Sequence, residues 1–72
     1  MSTPTAEEVD LRVLDLQGRV VCTLLSGLQP AGEHTVHWDG RSQSGARLTN
    51  GVYFIRLVRP DRMETRRVAV IH

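Results

Sequence analysis

Apolar and polar residues alternate along most of this chain, which is the pattern of β-strands that bury one face. The letters VDLRVL place Val9, Leu11 and Val13 on one face and two charged residues on the other. The same alternation predicts further strands in residues 19–25, 33–38, 51–58 and 63–71. No window has the period of a helix, so the sequence predicts an all-β chain of about five antiparallel strands, forming a small sandwich or part of one.

The apolar face of these strands supplies the predicted core. Trp38 ends the third predicted strand, where its ring can fill a small core while its indole N–H reaches a partner. Cys22 lies among apolar residues and is expected to behave as a small buried hydrophobic residue. The predicted core residues are Leu11, Val13, Val36, Trp38, Tyr53, Ile55 and Leu57.

Glycine, proline and short polar residues mark the turns between the strands. Gly18 follows the first strand and can take the positive φ of a tight turn. Pro60 presets φ in the last turn, where Asp61 can accept backbone hydrogen bonds. The longest polar segment is residues 39–50, which is predicted to be a structural loop. The predicted turn residues are Gly18, Asp39, Gly40, Gly45 and Gly51.

The length of the chain allows one small domain. Its 72 residues are 40% hydrophobic and 24% charged, which is typical of a globular protein and not of a disordered one. Residues 1–8 are interpreted as a polar lead-in without alternation, and residues 9–72 as the domain. A domain of this size buries little apolar surface, so we expect marginal stability.

Charge is unevenly distributed along the chain, although the net charge is only +1. Residues 1–40 carry two arginines against six acidic residues, whereas residues 41–72 carry seven arginines against two acidic residues. One interpretation is that acidic and basic strands face each other within the fold. The other is a basic docking surface for an acidic partner, whose binding would weaken with salt. The residues of that candidate docking surface are Arg56, Arg59, Arg62, Arg66 and Arg67.

Candidate metal ligands are sparse. Asp39 is the only acidic residue between Glu33 and Asp61, whereas a calcium site needs several oxygen ligands. His34 and His37 fall on opposite faces of the predicted strand, and a zinc site needs three or four converging ligands. The sequence therefore predicts no metal and no cofactor.

Catalytic motifs are missing as well. The chain has no lysine, no Gly-x-Ser-x-Gly motif and one cysteine, which excludes a lysine Schiff base, a serine hydrolase elbow and an intramolecular disulfide. The terminal His72 receives no role. No apolar run approaches the roughly 18 residues of a membrane span, and the net charge gives no case for nucleic acid. We expect no enzyme activity, no small-molecule substrate and no membrane insertion.

Three stretches of the chain resemble a known family. LRVLDLQGRVVCTL, AGEHTVHWDGRSQSGARLTNGVYFIRL and RRVAVI resemble the immunoglobulin-like domain of flagellar hook-capping proteins, over roughly residues 9–71. The strand–turn start and the Gly-x-Tyr strand are also similar to the C-terminal sorting domains of the type IX secretion system. The resemblance implies an immunoglobulin- or fibronectin-like β-sandwich without catalytic activity.

The start of the chain departs from this family pattern. Domains of this type usually have further strands before the first alternating one, whereas residues 1–8 show no alternation. We therefore expect a sandwich that lacks one or more N-terminal strands and exposes a strand edge. A second copy or a strand of a protein partner would pair with that edge.

Two functions follow from the resemblance and the missing chemistry. The first is a noncatalytic structural or interaction module, a terminal appendage of a secreted or surface protein that acts in export, anchoring or assembly. Its location would be extracellular or at the cell surface. The alternative is a stand-alone oligomerisation or protein-binding domain that works through an exposed β-edge.

Overall fold

The computed structural model describes residues 1–71, and the fold is all-β. His72 lies outside the described residues. The strands within residues 1–71 are β1 (Ser2–Thr3), β2 (Glu7–Leu14), β3 (Val20–Gln29), β4 (Gly32–Glu33), β5 (Gly51–Arg59) and β6 (Arg62–Val70). They form two antiparallel sheets, one of β1 and β4 and one in the order β3-β2-β5-β6. The prediction of an all-β, small immunoglobulin-like sandwich is confirmed.

The first hairpin of the larger sheet joins β2 to β3. The Asp15 carboxylate oxygen Oδ1 accepts the backbone N–H groups of Gln17 and Arg19, each at 2.9 Å. Gly18 takes a φ of 83° in the same turn, a conformation that glycine adopts without steric cost. Local chemistry therefore determines this turn.

The second hairpin joins β5 to β6 through Pro60 and Asp61. Arg59 pairs directly with Arg62 across this two-residue connection, and the pairing continues without a register shift along both strands. The two hairpins meet where β2 pairs with β5, so β3 and β6 become the edges of the four-stranded sheet.

The core lies on one face of this sheet, here called the inner face. Its buried cluster and the partly buried residues packed against it are Val13, Cys22, Tyr53 and Val70, with Val21, Leu24, Trp38, Leu48, Ile55 and Val68. Trp38 and Leu48 belong to the connection between β4 and β5, which therefore covers the inner face as the second layer of the core.

Residues 33–38 do not form the predicted strand. Only Glu33 belongs to a strand, the short β4, and residues 34–38 have no strand pairing. The predicted alternation is nevertheless present in their burial, since His34, Val36 and Trp38 are half-buried between exposed neighbours. An extended segment lying over a sheet has the same two-residue side-chain period as a strand within it, so the pattern could not distinguish the two.

Residues 1–8 contain structure that the sequence pattern did not reveal. They carry β1 and the start of β2. Thr3 in β1 is only 2% exposed, and its hydroxyl donates to the carbonyl of Pro30 at 2.9 Å. The N-terminal amine of Met1 donates to the carbonyl of His34 at 2.9 Å. A two-residue strand is too short to show a period, which is why alternation gave no signal here.

Candidate functional site

The polar loop after Trp38 is closed by its own hydrogen bonds. The indole N–H of Trp38 donates to the carbonyl of Arg41 at 3.0 Å, and Nη1 of Arg41 donates to the carbonyl of Gly45 at 2.9 Å. Backbone bonds from Ser42 N–H to the Ala46 carbonyl, at 2.8 Å, and from Gly45 N–H to the Ser42 carbonyl, at 2.9 Å, complete the loop. These four hydrogen bonds close the segment on itself, and the backbone N–H of Gln43 connects it to the Val21 carbonyl of β3 at 3.0 Å.

The predicted turn residues occupy special backbone positions in this region. Gly40 and Gly45 have φ values of 79° and 89°, where a side chain would strain the backbone. Asp39 accepts the backbone N–H of Arg41 at 3.1 Å, which is the geometry of an Asx turn. Gly51, the first residue of β5, has a φ of 157° and is nearly extended.

The histidine and acidic side chains of this region do not converge. The Asp39 side chain is 71% exposed, and its Oδ2 lies 3.7 Å from Nε of Arg41. His34 Nε2 lies 2.7 Å from the carbonyl of Pro30, whereas His37 is exposed. Within residues 1–71, no group of three or more histidine, cysteine or acidic side chains could hold a metal ion.

Two predicted core rings meet directly on the inner face. The ring centroids of Trp38 and Tyr53 are 6.3 Å apart, and their planes cross at 73°. Such edge-to-face pairs add about 0.5–1.5 kcal/mol beyond the burial of the rings. The Tyr53 hydroxyl donates to the carbonyl of Thr49 at 2.8 Å, so its polar end is satisfied at the rim of the core.

The remaining predicted core residues lie at different depths. Val13 is fully buried, and Ile55 packs against the buried cluster. Leu11 and Leu57 pair directly between β2 and β5 and are half-buried, as is Val36 in the covering segment.

Three buried apolar residues were not in the predicted core. Val9 continues the alternation of β2 and is 2% exposed, so its signal was present in the sequence. Leu14 is 7% exposed and pairs with Phe54, on the face of the sheet opposite the inner one. Val70 is the last residue of β6 and is buried in the inner cluster. The burial of Leu14 and Val70 depends on strand pairing and could not be inferred from alternation alone.

The single thiol is placed as a hydrophobic residue. Cys22 is 9% exposed within the core cluster. Burial, and to a smaller degree the charge of Asp39, raises the pKa of the Cys22 thiol. A raised pKa leaves little thiolate at neutral pH, so this sulfur is a poor nucleophile and a poor metal ligand.

The predicted docking surface divides into engaged and unengaged arginines. Arg59 Nε lies 2.5 Å from Oε1 of Glu7, and both side chains are largely buried, at 11% and 16% exposure. Arg59 Nη2 also lies 3.4 Å from the carbonyl of Ser2. Arg59 is therefore an internal tie between β1, β2 and β5, with little capacity left for a partner.

Arg56 occupies an intermediate position. It pairs with Arg12 on β2 and with Thr65 on β6, and its Nε is buried without a hydrogen-bond acceptor among the described residues. Arg12 Nε lies 2.6 Å from Asp10 Oδ1, although the pair does not have hydrogen-bond geometry. The acidic partner of Arg12 belongs to the same strand, and Arg56 faces Arg12 across the sheet, so these three residues do not place an acidic strand against a basic one.

The last three arginines of the docking set remain unengaged. Arg62, Arg66 and Arg67 are exposed on the edge strand β6. Among residues 1–71 none of them has an acidic partner. Three exposed arginines without an acidic partner among residues 1–71 thus lie on one strand, and Arg47 is a fourth, in the connection before β5.

A surface groove of about 500 Å³ lies between the β2–β3 turn and residues 47–53. Its acidic residue, Asp15, is already bound to the turn. The backbone N–H of Arg19, followed by the Arg19 guanidinium and the N–H of Gln17, lowers the pKa of the Asp15 carboxyl. This groove holds no second carboxylate that could act with Asp15 as an acid–base pair.

Residues 1–71 contain no helix that is long and apolar enough to cross a membrane.

Comparison with known proteins gives consistent matches. A family model described as FlgD Ig-like domain matches residues 1–61. The chain is 42% identical over 52 residues to proteins named basal-body rod modification protein FlgD from Salmonella typhimurium strain LT2 and from Salmonella typhi. These matches cover 72% of this chain and 22% of each relative, so the chain spans about a fifth of the relatives' length. No solved structure gives a significant match.

Proposed function

The chain belongs to the FlgD Ig-like domain family, and from this premise we propose that it is a noncatalytic module in the assembly of the bacterial flagellar hook. The relatives carry the name of a basal-body rod modification protein. The module would provide shape and protein-binding surface and no chemical step.

One observation carries this proposal. The loop that follows Trp38, which is the most polar part of the chain, is closed by hydrogen bonds that Trp38 and Arg41 donate to carbonyls of the loop, while Trp38 packs against Tyr53. The residues that could have formed a ligand site instead fix a turn over the core. This arrangement supports a rigid building block, whose working parts are its outer surfaces and strand edges.

The place of action follows from the same premise. We infer that the domain is an appendage of a longer exported protein and works outside the cell or at its surface. A sorting role of the type IX kind is supported by the resemblance of the β2–β3 hairpin and of the Gly-x-Tyr start of β5.

A second function is favoured by a specific feature of the sheet. The strand β6 is an edge with a row of exposed residues. A domain with such an edge could act by itself as an oligomerisation or protein-binding unit through strand addition.

A domain exchange tests the proposed function. This chain would replace the matched residues of the Salmonella typhimurium relative, and the chimera would be expressed in a strain lacking that protein. We expect restored hook assembly and swimming, measured by electron microscopy and motility in soft agar. The matched control is a chimera with an unrelated immunoglobulin-like domain of the same size. A stable, exported chimera that gives no more hooks than this control would contradict the proposal.

A further inference from the structure

The edge strand β6 presents an unpaired row of backbone groups. Arg59 and Arg62 pair directly across a two-residue turn, so their backbone N–H and C=O groups bond to each other. In an antiparallel hairpin every second residue pair bonds in this way. The alternate residues of β6 therefore direct their N–H and C=O groups away from β5. These residues are Met63, Thr65, Arg67 and Ala69.

The opposite edge of the same sheet is blocked at residues 21–23. On β3, the carbonyl of Val21 accepts the backbone N–H of Gln43 at 3.0 Å, and the N–H of Thr23 donates to the Gln43 side-chain oxygen at 2.8 Å. Two register shifts between β2 and β3 further distort this edge. Such caps and bulges oppose strand addition along this part of β3. For β6, the structure within residues 1–71 contains no comparable cap, and its pairing with β5 is regular.

The free edge also carries unneutralised charge on both faces of the sheet. Arg67 pairs with Phe54 on the outer face, and Arg66 pairs with Ile55 on the inner face. Arg62 adds a third exposed guanidinium near the turn, against the single carboxylate of Glu64 on this strand. A strand added alongside β6 would therefore place successive side chains next to positive charge on alternate faces.

We propose that the free edge of β6 binds an extended, acidic segment of a partner protein by antiparallel strand addition. The proposal rests on the proposed function, because it names the kind of partner that an assembly module would hold. Main-chain hydrogen bonds to Thr65 and Arg67 give the affinity, and the charges beside them give the selectivity. The matching segment has two consecutive acidic residues opposite Arg66 and Arg67 and an apolar residue near Met63.

Two synthetic peptides as long as β6 serve as probes. One has a central Glu-Glu pair between valine and threonine residues, and the other has Lys-Lys in the same place. Each is titrated into the ¹⁵N-labelled chain, and amide shifts and hydrogen exchange are recorded by NMR. We expect binding of the acidic peptide only, with the amides of Thr65 and Arg67 newly protected from exchange. Binding should weaken near 1 M salt, where the screening length falls to about 3 Å and the attraction of the charges is screened.

Two variants at one position separate strand addition from simple charge attraction. Thr65→Pro removes an N–H that points away from β5, so the hairpin can still pair, as prolines on edge strands do. Thr65→Val retains that N–H and is the matched control. We expect Thr65→Pro to weaken acidic-peptide binding at least about tenfold, and Thr65→Val to leave it unchanged. Equal binding to both variants would overturn strand addition.

Charge reversal tests the chemistry of the occupant. The double variant Arg66→Glu/Arg67→Glu should reverse the peptide preference of the chain, so that it binds the Lys-Lys peptide and not the Glu-Glu peptide. If the wild-type chain binds neither peptide, or if it forms a dimer in analytical ultracentrifugation that Thr65→Pro abolishes, an acidic partner segment is excluded as the occupant. If the peptides do not bind but the Salmonella chimera assembles hooks, this inference is wrong and the proposed function is retained.

Discussion

Trp38 shows how one side chain can serve both the core and a loop. Its ring meets Tyr53 edge to face, and its indole N–H closes the polar loop through the Arg41 carbonyl. The side chain therefore connects the covering segment to the sheet. The Trp38–Asp39–Gly40 sequence is explained by these two structural roles of Trp38, without a bound ligand.

Replacement of Trp38 tests that assignment. We expect Trp38→Ala to lower the free energy of unfolding by about 3 kcal/mol, because a large ring leaves a small core. Trp38→Phe should lower it by about 1 kcal/mol, since the ring stays and the hydrogen bond is lost. Urea unfolding followed by circular dichroism measures both. The control Leu28→Ala removes a side chain that is 66% exposed, and a loss as large as that of Trp38→Ala would contradict the assignment.

Asp15 makes a pH-dependent contribution to the β2–β3 turn. Its carboxylate accepts backbone N–H groups of the turn, and this lowers the pKa of Asp15 in the folded chain. A group with a lowered folded pKa stabilises the fold above its unfolded pKa of about 3.9 and loses that effect as the pH falls through the folded value. Asp15→Asn should therefore have a lower melting temperature than the wild type at neutral pH. The difference should shrink in acid, and a difference that grows in acid would refute this account.

At the scale of elements, alternation in the sequence reports an extended backbone with one covered face. In β2, β5 and β6 the alternating residues form strands of the sheet, because each has a hydrogen-bonded strand beside it. Residues 34–38 have the same alternation in burial but lie over the sheet without a ladder. Only the presence of a neighbouring strand separates the two cases.

Hydrogen exchange distinguishes a covering segment from a strand. Among residues 1–71 the amide of Val36 has no hydrogen-bond acceptor, whereas that of Arg56 lies inside the ladder between β2 and β5. We expect the Val36 amide to exchange at least about a hundredfold faster than the Arg56 amide, because it does not need the sheet to open. The N–H of His34, which donates to the Met1 carbonyl at 2.7 Å, is the internal control. Equal protection of Val36 and Arg56 would restore the predicted strand.

At the scale of the whole molecule, distant parts of the chain are tied together by a few polar contacts. The chain is an elongated body of 37 × 20 × 17 Å with a small buried cluster. Glu7 and Arg59, which are 52 residues apart, join β2 to the end of β5 at low exposure. A domain this small has little apolar burial, so breaking such a tie is expected to cost a measurable share of its stability.

A double-mutant cycle measures this long-range tie. We expect Glu7→Gln to lower the free energy of unfolding by about 1–2 kcal/mol, since it leaves a largely buried guanidinium without its carboxylate. In the Glu7→Gln variant, Arg59→Gln should lower the free energy of unfolding by less than it does in the wild-type chain. The difference between these two losses is the coupling energy of the two side chains. Glu64→Gln, at an exposed position that forms no ion pair within residues 1–71, is the matched control. Additive losses would show that the pair does not act as a unit.

The sequence by itself determined the features that depend on near neighbours. The Asp15–Gly18 turn and the Pro60 turn are local, so composition and spacing were enough to predict the two hairpins and the all-β class. The resemblance of the letters around Trp38 and Tyr53 was also enough to identify the family that the later comparison matched.

The tertiary structure alone decided which arginine side chains and strand edges have partners within the fold and which are exposed. Arg59 is engaged by Glu7 and Ser2, whereas Arg62, Arg66 and Arg67 are exposed, although all four belong to one basic run. The short β1, the capped edge of β3 and the open edge of β6 likewise depend on contacts between residues far apart in the chain. Alternation encodes the direction of a side chain, but its partner is set by long-range packing.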